Sequence, residues 1–194
     1  MKHILKLAFS LFLIAAFTTA ALGLTHWLTL EPIAEQARRT QERTIMTILP
    51  QATGFNQLTE EMSGSMIGIF EVFGAGGNAI GYIVELAPAG YGGAIYMMVG
   101  ILIAENQIAG VRILRHTETP GLGSHIVRER FYGMFNNRAL TPLNVVRAAP
   151  GPNDIEALTA ATITTRAITD AVNEAIHWYN TTRDTTRDTT RGGI

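Results

Sequence analysis

The run MIGIFEVFGAGGNAIGYIVEL, from Met66 to Leu86, decides the fold class of this chain. Two segments rich in Ile, Val, Phe and Tyr, Met66–Phe73 and Ala79–Leu86, flank Gly74-Ala75-Gly76-Gly77-Asn78. The first composition suits strands and the second suits a turn, so the run reads as two antiparallel strands. Two more such segments follow, Ala94–Ala104 and Ile108–Leu114, with Glu105-Asn106-Gln107 as a hairpin loop. Val127–Phe135 reads as a short helix, and Thr141–Asp154, with Pro142, Pro150 and Pro152, as irregular chain. From Ile163 the apolar period lengthens. Ile163, Ala167, Ile168, Ala171, Val172, Ala175, Ile176 and Tyr179 fall on one helical face. The predicted class is α+β: a small antiparallel sheet with helices packed on it.

Outward toward the N-terminus, Leu7 to Leu30 contains no Asp, Glu, Lys or Arg. A helix needs about 20 such residues to cross a bilayer. His26 and Trp27 suit the membrane–water interface. Lys2, Lys6 and the small residues Thr18, Thr19, Ala20 and Ala21 also fit a cleaved signal peptide, but the apolar part of one is only about 7–15 residues. The length favours a single transmembrane anchor. Lys2 and Lys6 precede the span and Arg38, Arg39 and Arg43 follow it, so charge gives no clean orientation. A short N-terminal stub ahead of a large domain favours the stub inside and the domain outside. Pro32 to about Leu49 reads as a polar helix opened by Pro32 and ended by Pro50. At the far end, Thr-Thr-Arg-Asp occurs at 181–184 and again at 185–188, a composition that buries no apolar face and reads as a solvated tail. The predicted divisions are an anchor at 1–30, a connecting helix and linker at 31–65, a folded domain at 66–180 and a polar tail at 181–194.

The chain has 194 residues, 15 basic and 16 acidic, and a net charge of −1. No global field would draw in nucleic acid. With no cysteine, thiolate metal sites, cysteine-held iron–sulfur clusters and a cysteine nucleophile are excluded. Any redox role therefore needs a different cofactor, such as a flavin.

Two stretches carry candidate chemistry. In His116-Thr117-Glu118-Thr119-Pro120-Gly121-Leu122-Gly123, Pro120-Gly121 is the favoured central pair of a type II turn. Gly121 and Gly123 lack a Cβ, which lets a flat ligand approach the backbone. The bland reading is a tight connecting loop. In Glu156-Ala157-Leu158-Thr159-Ala160-Ala161-Thr162-Ile163-Thr164, small residues crowd a hydroxyl just before the amphipathic helix. Thr162 there reads as a helix N-cap, the commoner use of such a residue. The same place also suits a phosphate, because the first turn of a helix offers free N–H groups and a favourable dipole.

The apolar start, the Glu118-Thr119-Pro120-Gly121-Leu122-Gly123 loop and the Ala161-Thr162 motif together resemble the FMN-binding G subunits of Rnf electron transport complexes, and the related C subunits of sodium-translocating NADH:quinone reductases. Gly90-Tyr91-Gly92-Gly93 before a strand fits the same pattern. The resemblance covers the chain from the anchor to about Tyr179. It implies that residues 66–180 form an FMN-binding domain. It also implies that a flavin transferase, reading a motif of the form Asp-x-x-Ser/Thr-Gly-Ala-Thr, links FMN through its phosphate to Thr162. Thr159 and Ala161 belong to that motif. Glu156 stands where Asp is usual and Ala160 where Gly is usual; if position 160 takes a positive φ, Ala is costly there. By the same resemblance Glu118, Thr119, Gly121, Leu122 and Gly123 lie against the flavin ring, and loop N–H groups stabilise its reduced form. The implied role is an electron relay with no complete substrate site of its own. The implied setting is the bacterial inner membrane, a single pass with the main domain on the periplasmic side. The implied partners are iron–sulfur and flavin subunits of one complex, besides membrane lipid.

Other readings are weaker. Ser124 with His116 or His125 lacks a Gly-x-Ser-x-Gly elbow. His116, Glu118 and His125 as metal ligands lack a restrictive spacing. Gly121-Leu122-Gly123 lacks the third glycine of a dinucleotide fingerprint. The main rival is a flavin-free scaffold that keeps the fold without the cofactor and braces its membrane partners.

Overall fold

The computed structural model describes residues 2–60 and 62–191, and of the helical residues 2, 30–34, 37 and 183–191 the backbone alone. The chain forms two compact units, residues 1–43 and 44–194.

The first unit is helical. Helix α1 runs unbroken from Lys2 to Ile48, so Pro32 does not open a separate helix as its sequence context suggested. Its stretch His3–Thr29 is 27 residues long with a mean hydropathy of 2.1. At about 1.5 Å per residue that is roughly 40 Å, more than the hydrocarbon core of a bilayer. Three threonine hydroxyls inside it bond to carbonyls of the helix itself, which suits an apolar surrounding. Thr18 donates to the Ile14 carbonyl at 2.9 Å, Thr29 donates to that of Thr25 at 2.7 Å, and Thr25 donates to that of Ala21. Farther on, Arg39 pairs with Glu35 at 2.7 Å and Arg38 with Glu42 at 3.6 Å, both one turn apart and exposed.

The second unit is built on a five-stranded antiparallel meander in the order β1-β2-β3-β4-β5. The strands are β1 (Gly54–Gln57), β2 (Met66–Phe73), β3 (Ala79–Leu86), β4 (Tyr96–Leu102) and β5 (Gln107–Arg115). Strands β2 and β3 have the bounds read from the sequence. Strand β1 was not foreseen: it is short, half-exposed and carries no apolar alternation. The sheet is covered on both faces, which explains why β4 reads as a continuous apolar run. Met97, Val99 and Ile101 join a core with Ile168, Val172, Ala175 and Ile176 of helix α3 (Thr162–Arg191). Met98 joins a second core with Phe70, Val72, Ile83 and Ile45, Ile48 and Leu49.

Glycines shape that second core. Gly100 and Gly110 face each other across β4 and β5. A Cβ on Gly100 would stand 2.2 Å from the Ile48 side chain, and one on Gly81 would stand 3.2 Å from Leu49 and 2.4 Å from the Ile101 carbonyl. The bare backbone of the sheet thus forms a trough for these two side chains. On the other face Trp178 packs edge-on to Tyr82 and donates to Glu60 at 2.8 Å. Burial pushes the Tyr82 phenol above its usual range, and neighbouring Glu71 adds to the shift.

Between β5 and α3 the chain makes a 3₁₀ turn (Gly123–Val127), the short helix α2 (Glu129–Tyr132) and a second 3₁₀ turn (Gly133–Phe135). The segment expected to be irregular contains a small parallel pair, β6 (Asn144–Val146) and β7 (Asp154–Glu156). Asn173 holds it to α3 through both backbone groups of Leu143, at 2.8 and 2.9 Å. Strand β7 therefore delivers the chain to the start of α3. The helix continues through the Thr-Thr-Arg-Asp repeats, the segment read as a solvated polar tail, to Arg191; residues 192–194 lie outside the described residues.

The trough makes Gly100 intolerant of a side chain. Gly100→Val should lower stability by about 1–3 kcal/mol through overpacking against Ile48, measured by urea unfolding of the full-length protein in detergent. A variant as stable as the parent would show that the Ile48 contact does not constrain the fold.

Candidate functional site

Three segments meet at the N-terminus of α3: the Gly90–Gly93 loop, the Thr117–Ser124 loop and the turn 158–161. Glu118 joins the first two to the helix. Its side chain is only 5 % exposed. One carboxylate oxygen accepts the Gly92 N–H at 3.0 Å, and the other accepts the Thr164 hydroxyl at 2.7 Å. Thr117 adds a bond from its hydroxyl to the Gly92 carbonyl at 2.9 Å. Glycine makes this packing possible. A Cβ on Gly90 or on Gly123 would stand 2.3 Å from a Glu118 oxygen. Gly123 is therefore needed for the carboxylate to fit, which is a different reason from the ligand approach inferred from sequence.

Gly121 has the role the sequence suggested. Its φ is +79°, and the Leu122 N–H closes the Thr119-Pro120-Gly121-Leu122 turn onto the Thr119 carbonyl at 3.2 Å. A Cβ there would meet nothing within 4 Å, so conformation and not space requires glycine. Most of the loop's donors are already engaged. Glu118 N–H binds His116 Nδ1, Gly121 N–H binds the Ser124 hydroxyl, and Ser124 N–H shares the Thr119 carbonyl. This leaves fewer loop N–H groups for a ligand than expected. It also occupies Ser124 and His116 within the loop. His116, Glu118 and His125 do not form a ligand cluster: among the described residues no three His, Asp or Glu side chains converge on a metal position.

The third segment answers the question about Thr162. The turn is closed by the Ala161 N–H on the Leu158 carbonyl at 3.0 Å, and Ala160 takes φ +60° at its third position. That is the left-handed region, disfavoured for any residue with a Cβ. The strain expected for Ala160 is present. Helix α3 begins at Thr162 itself, and Thr165 N–H binds the Ala161 carbonyl at 3.0 Å. Ala161 is thus the cap position and has no side-chain acceptor, so Thr162 is not the N-cap that local sequence suggested. Its hydroxyl has no hydrogen-bond partner among the described residues. Thr165 ties the turn down instead, accepting Leu158 N–H at 3.1 Å and donating to the Ala161 carbonyl at 3.0 Å.

Thr162 opens onto a cleft of about 430 Å³, lined also by Tyr91, Glu118, Leu122 and Ile163. Thr119, Gly123, Ala161 and Thr164 complete it. Tyr91 is 71 % exposed and Ile163 58 %, so the rim offers apolar surface to solvent. Glu118 is the one charged side chain in the lining. Gly121 and Thr159 line a neighbouring cleft of about 400 Å³, with His125, Arg128, Arg130 and Glu156. Leu122 and Ala160 border both. The structure thus brings together all eight site residues named from sequence, five of the other seven in Thr162's own cleft and two beside it. Sequence reading missed Thr164 as the partner of Glu118 and Tyr91 as a rim residue. A threonine two places after Thr162 and an aromatic between glycines were the available signals.

Comparison with known proteins gives this geometry a family. Residues 90–177 match the family described as an FMN-binding domain, and residues 1–48 match the family described as the RnfG N-terminal region. The G subunit of the Na⁺-translocating ferredoxin:NAD⁺ oxidoreductase complex of Acetobacterium woodii is 34 % identical over 92 % of this chain and 92 % of the relative. The chain belongs to the RnfG family. The G subunit of the ion-translocating oxidoreductase complex of Methanosarcina acetivorans is 28 % identical over 91 % of this chain and 95 % of its own length. In fold, the crystal structure of the C subunit of the Na⁺-translocating NADH-quinone reductase of Parabacteroides distasonis matches 63 % of this chain and 73 % of that one, with a TM-score of 0.50 at 19 % identity. The cleft and the helix N-terminus both fall inside the FMN-binding match.

Ala160 gives a direct check on the turn. Ala160→Gly relieves about 1–2 kcal/mol of left-handed strain against about 0.5–1 kcal/mol of added chain entropy. The expected result is a net gain of about 0–1.5 kcal/mol, read as a higher urea midpoint; a lower midpoint would show that position 160 does not hold a positive φ.

Proposed function

We propose that this chain is a membrane-anchored electron relay within an ion-translocating oxidoreductase complex, and that it carries FMN esterified through its phosphate to Thr162. One observation carries the second part. The Thr162 hydroxyl, free of the capping role, stands at an uncapped helix N-terminus on a cleft whose rim is apolar.

Each part of the cleft suits a part of FMN. The first N–H groups of α3 and its dipole favour a phosphate, and no side chain at Ala161 competes for them. Tyr91, Leu122 and Ile163 offer apolar surface to a flat ring. A volume of about 430 Å³ lies within the range of about 300–1,000 Å³ common to small-molecule sites. The left-handed Ala160 is retained despite its Cβ, so the turn that presents Thr162 is kept. When bound, FMN supplies the uptake and release of electrons that no side chain of a cysteine-free domain provides. The protein's residues hold and orient it.

The curated relatives are named as subunits of ion-translocating and ferredoxin:NAD⁺ oxidoreductase complexes. By extension the partners here are the iron–sulfur and flavin subunits of such a complex, with a flavin transferase acting during maturation. The apolar stretch of α1 anchors the chain in the membrane, with the short N-terminal stub inside and the domain on the periplasmic face. An ester tether suits that side, because it prevents loss of a cofactor that has no surrounding pool.

The test is intact mass and in-gel flavin fluorescence of protein made in cells that contain the transferase. Wild type should carry one FMN adduct and fluoresce after denaturation. Thr162→Ala should fold, lack the adduct and be dark. A dark wild type of unmodified mass would overturn the attachment and leave the scaffold role.

A further inference from the structure

Glu118 holds its neighbours, and its carboxylate has a further consequence for the cleft. The side chain is almost wholly buried, takes two hydrogen bonds from neutral donors and has no salt bridge to a cation among the described residues. No Lys or Arg lines its cleft. A charge so placed is poorly screened, because the surrounding medium is far less polarisable than water. A compensating field comes from the N-terminus of α3, which carries Thr164, the donor to one oxygen. The proposed phosphate would share that same helix end.

We propose that Glu118 sets the reduction potential of the flavin in this cleft, its carboxylate opposing the arrival of negative charge and so holding the potential low. The proposal rests on the reading that FMN occupies the Thr162 cleft. It assigns Glu118 an electrostatic role in addition to its mechanical one. Both roles follow from the same contacts, so the test must separate charge from structure.

Two isosteric variants do so. Glu118→Gln keeps the shape and can still accept the Gly92 N–H, but it removes the carboxylate. Thr164→Val removes one donor and loosens the same tie while leaving the carboxylate in place. The full-length chain is flavinylated in cells, purified in detergent and titrated for its midpoint potential by flavin absorbance. Intact mass reports the adduct in the same samples. The expected result is an upward shift of potential in Glu118→Gln and no upward shift in Thr164→Val. Glu105→Gln, an exposed acid in the β4–β5 turn and in the lining of neither cleft, should titrate like wild type. Equal potentials in wild type and Glu118→Gln, both bearing FMN, would overturn the Glu118 assignment alone. An equal upward shift in Thr164→Val would overturn it too, by showing that loosening suffices. Unmodified wild-type protein would overturn the attachment reading and this assignment with it.

Discussion

The burial of one carboxylate organises the site. Glu118 sits in a loop that follows β5, yet its oxygens are bound by a glycine N–H from the β3–β4 connection and by a threonine hydroxyl on α3. Losing either donor would leave a buried charged group short of a partner, which costs more than an average hydrogen bond contributes. The three glycines around it follow from this. Gly90 and Gly123 leave room for the carboxylate itself, and a Cβ on Gly92 would strike the Thr117 carbonyl at 2.4 Å. What reads in sequence as tight connecting loops is a packed junction, with glycine used for close approach of protein to protein.

The same use of glycine recurs on the far face of the sheet. There Gly81, Gly100 and Gly110 leave the backbone bare, and Ile48 and Leu49 fill the space. A sheet packed on both faces needs a side chain layer of uniform thickness. Bringing helical residues close to it requires small residues at the point of approach. The trough and the Glu118 junction are separate solutions to one geometric problem, and together they hold β3 and β4, the strands joined by the Tyr91 loop.

How much of this was legible in sequence depended on whether the cause was local. The limits of β2 and β3, the apolar face of α3 and the positive φ of Gly121 follow from nearest-neighbour chemistry, and all were readable. Strand β1 and the β6–β7 pair were not, because each strand is only three or four residues long, too short for an apolar alternation to show; the β6–β7 pair is also held by Asn173, which fixes Leu143 from 30 residues away. The unbroken α1 overrode a proline that local rules place at a helix start. In the site, the membership of the cleft was legible from motifs, but the reason for each residue was not. Gly123 serves Glu118, and Glu118 is bound to Thr164, 46 residues on. Neither link has a local signature.

Thr162 shows how a residue that local rules make a helix cap is left out of that role by the fold. A threonine before an amphipathic helix is by default its cap. Here the helix starts one residue earlier than a cap at Thr162 would allow, since Ala161 already accepts the first bond. Alanine at a cap position is a poor choice for stability, worth about 0.5–2 kcal/mol less than Ser, Thr, Asp or Asn. Left-handed Ala160 beside it is a second unfavourable choice. Two adjacent local penalties thus coincide with a free hydroxyl and unshared N–H groups, an arrangement that suits an external anion. A good side-chain cap would have consumed one of those donors. The strain in this turn is therefore tied to the exposure of the helix N-terminus at Thr162, and the hydrogen bonds of Thr165 and Glu118 hold the turn in place against it.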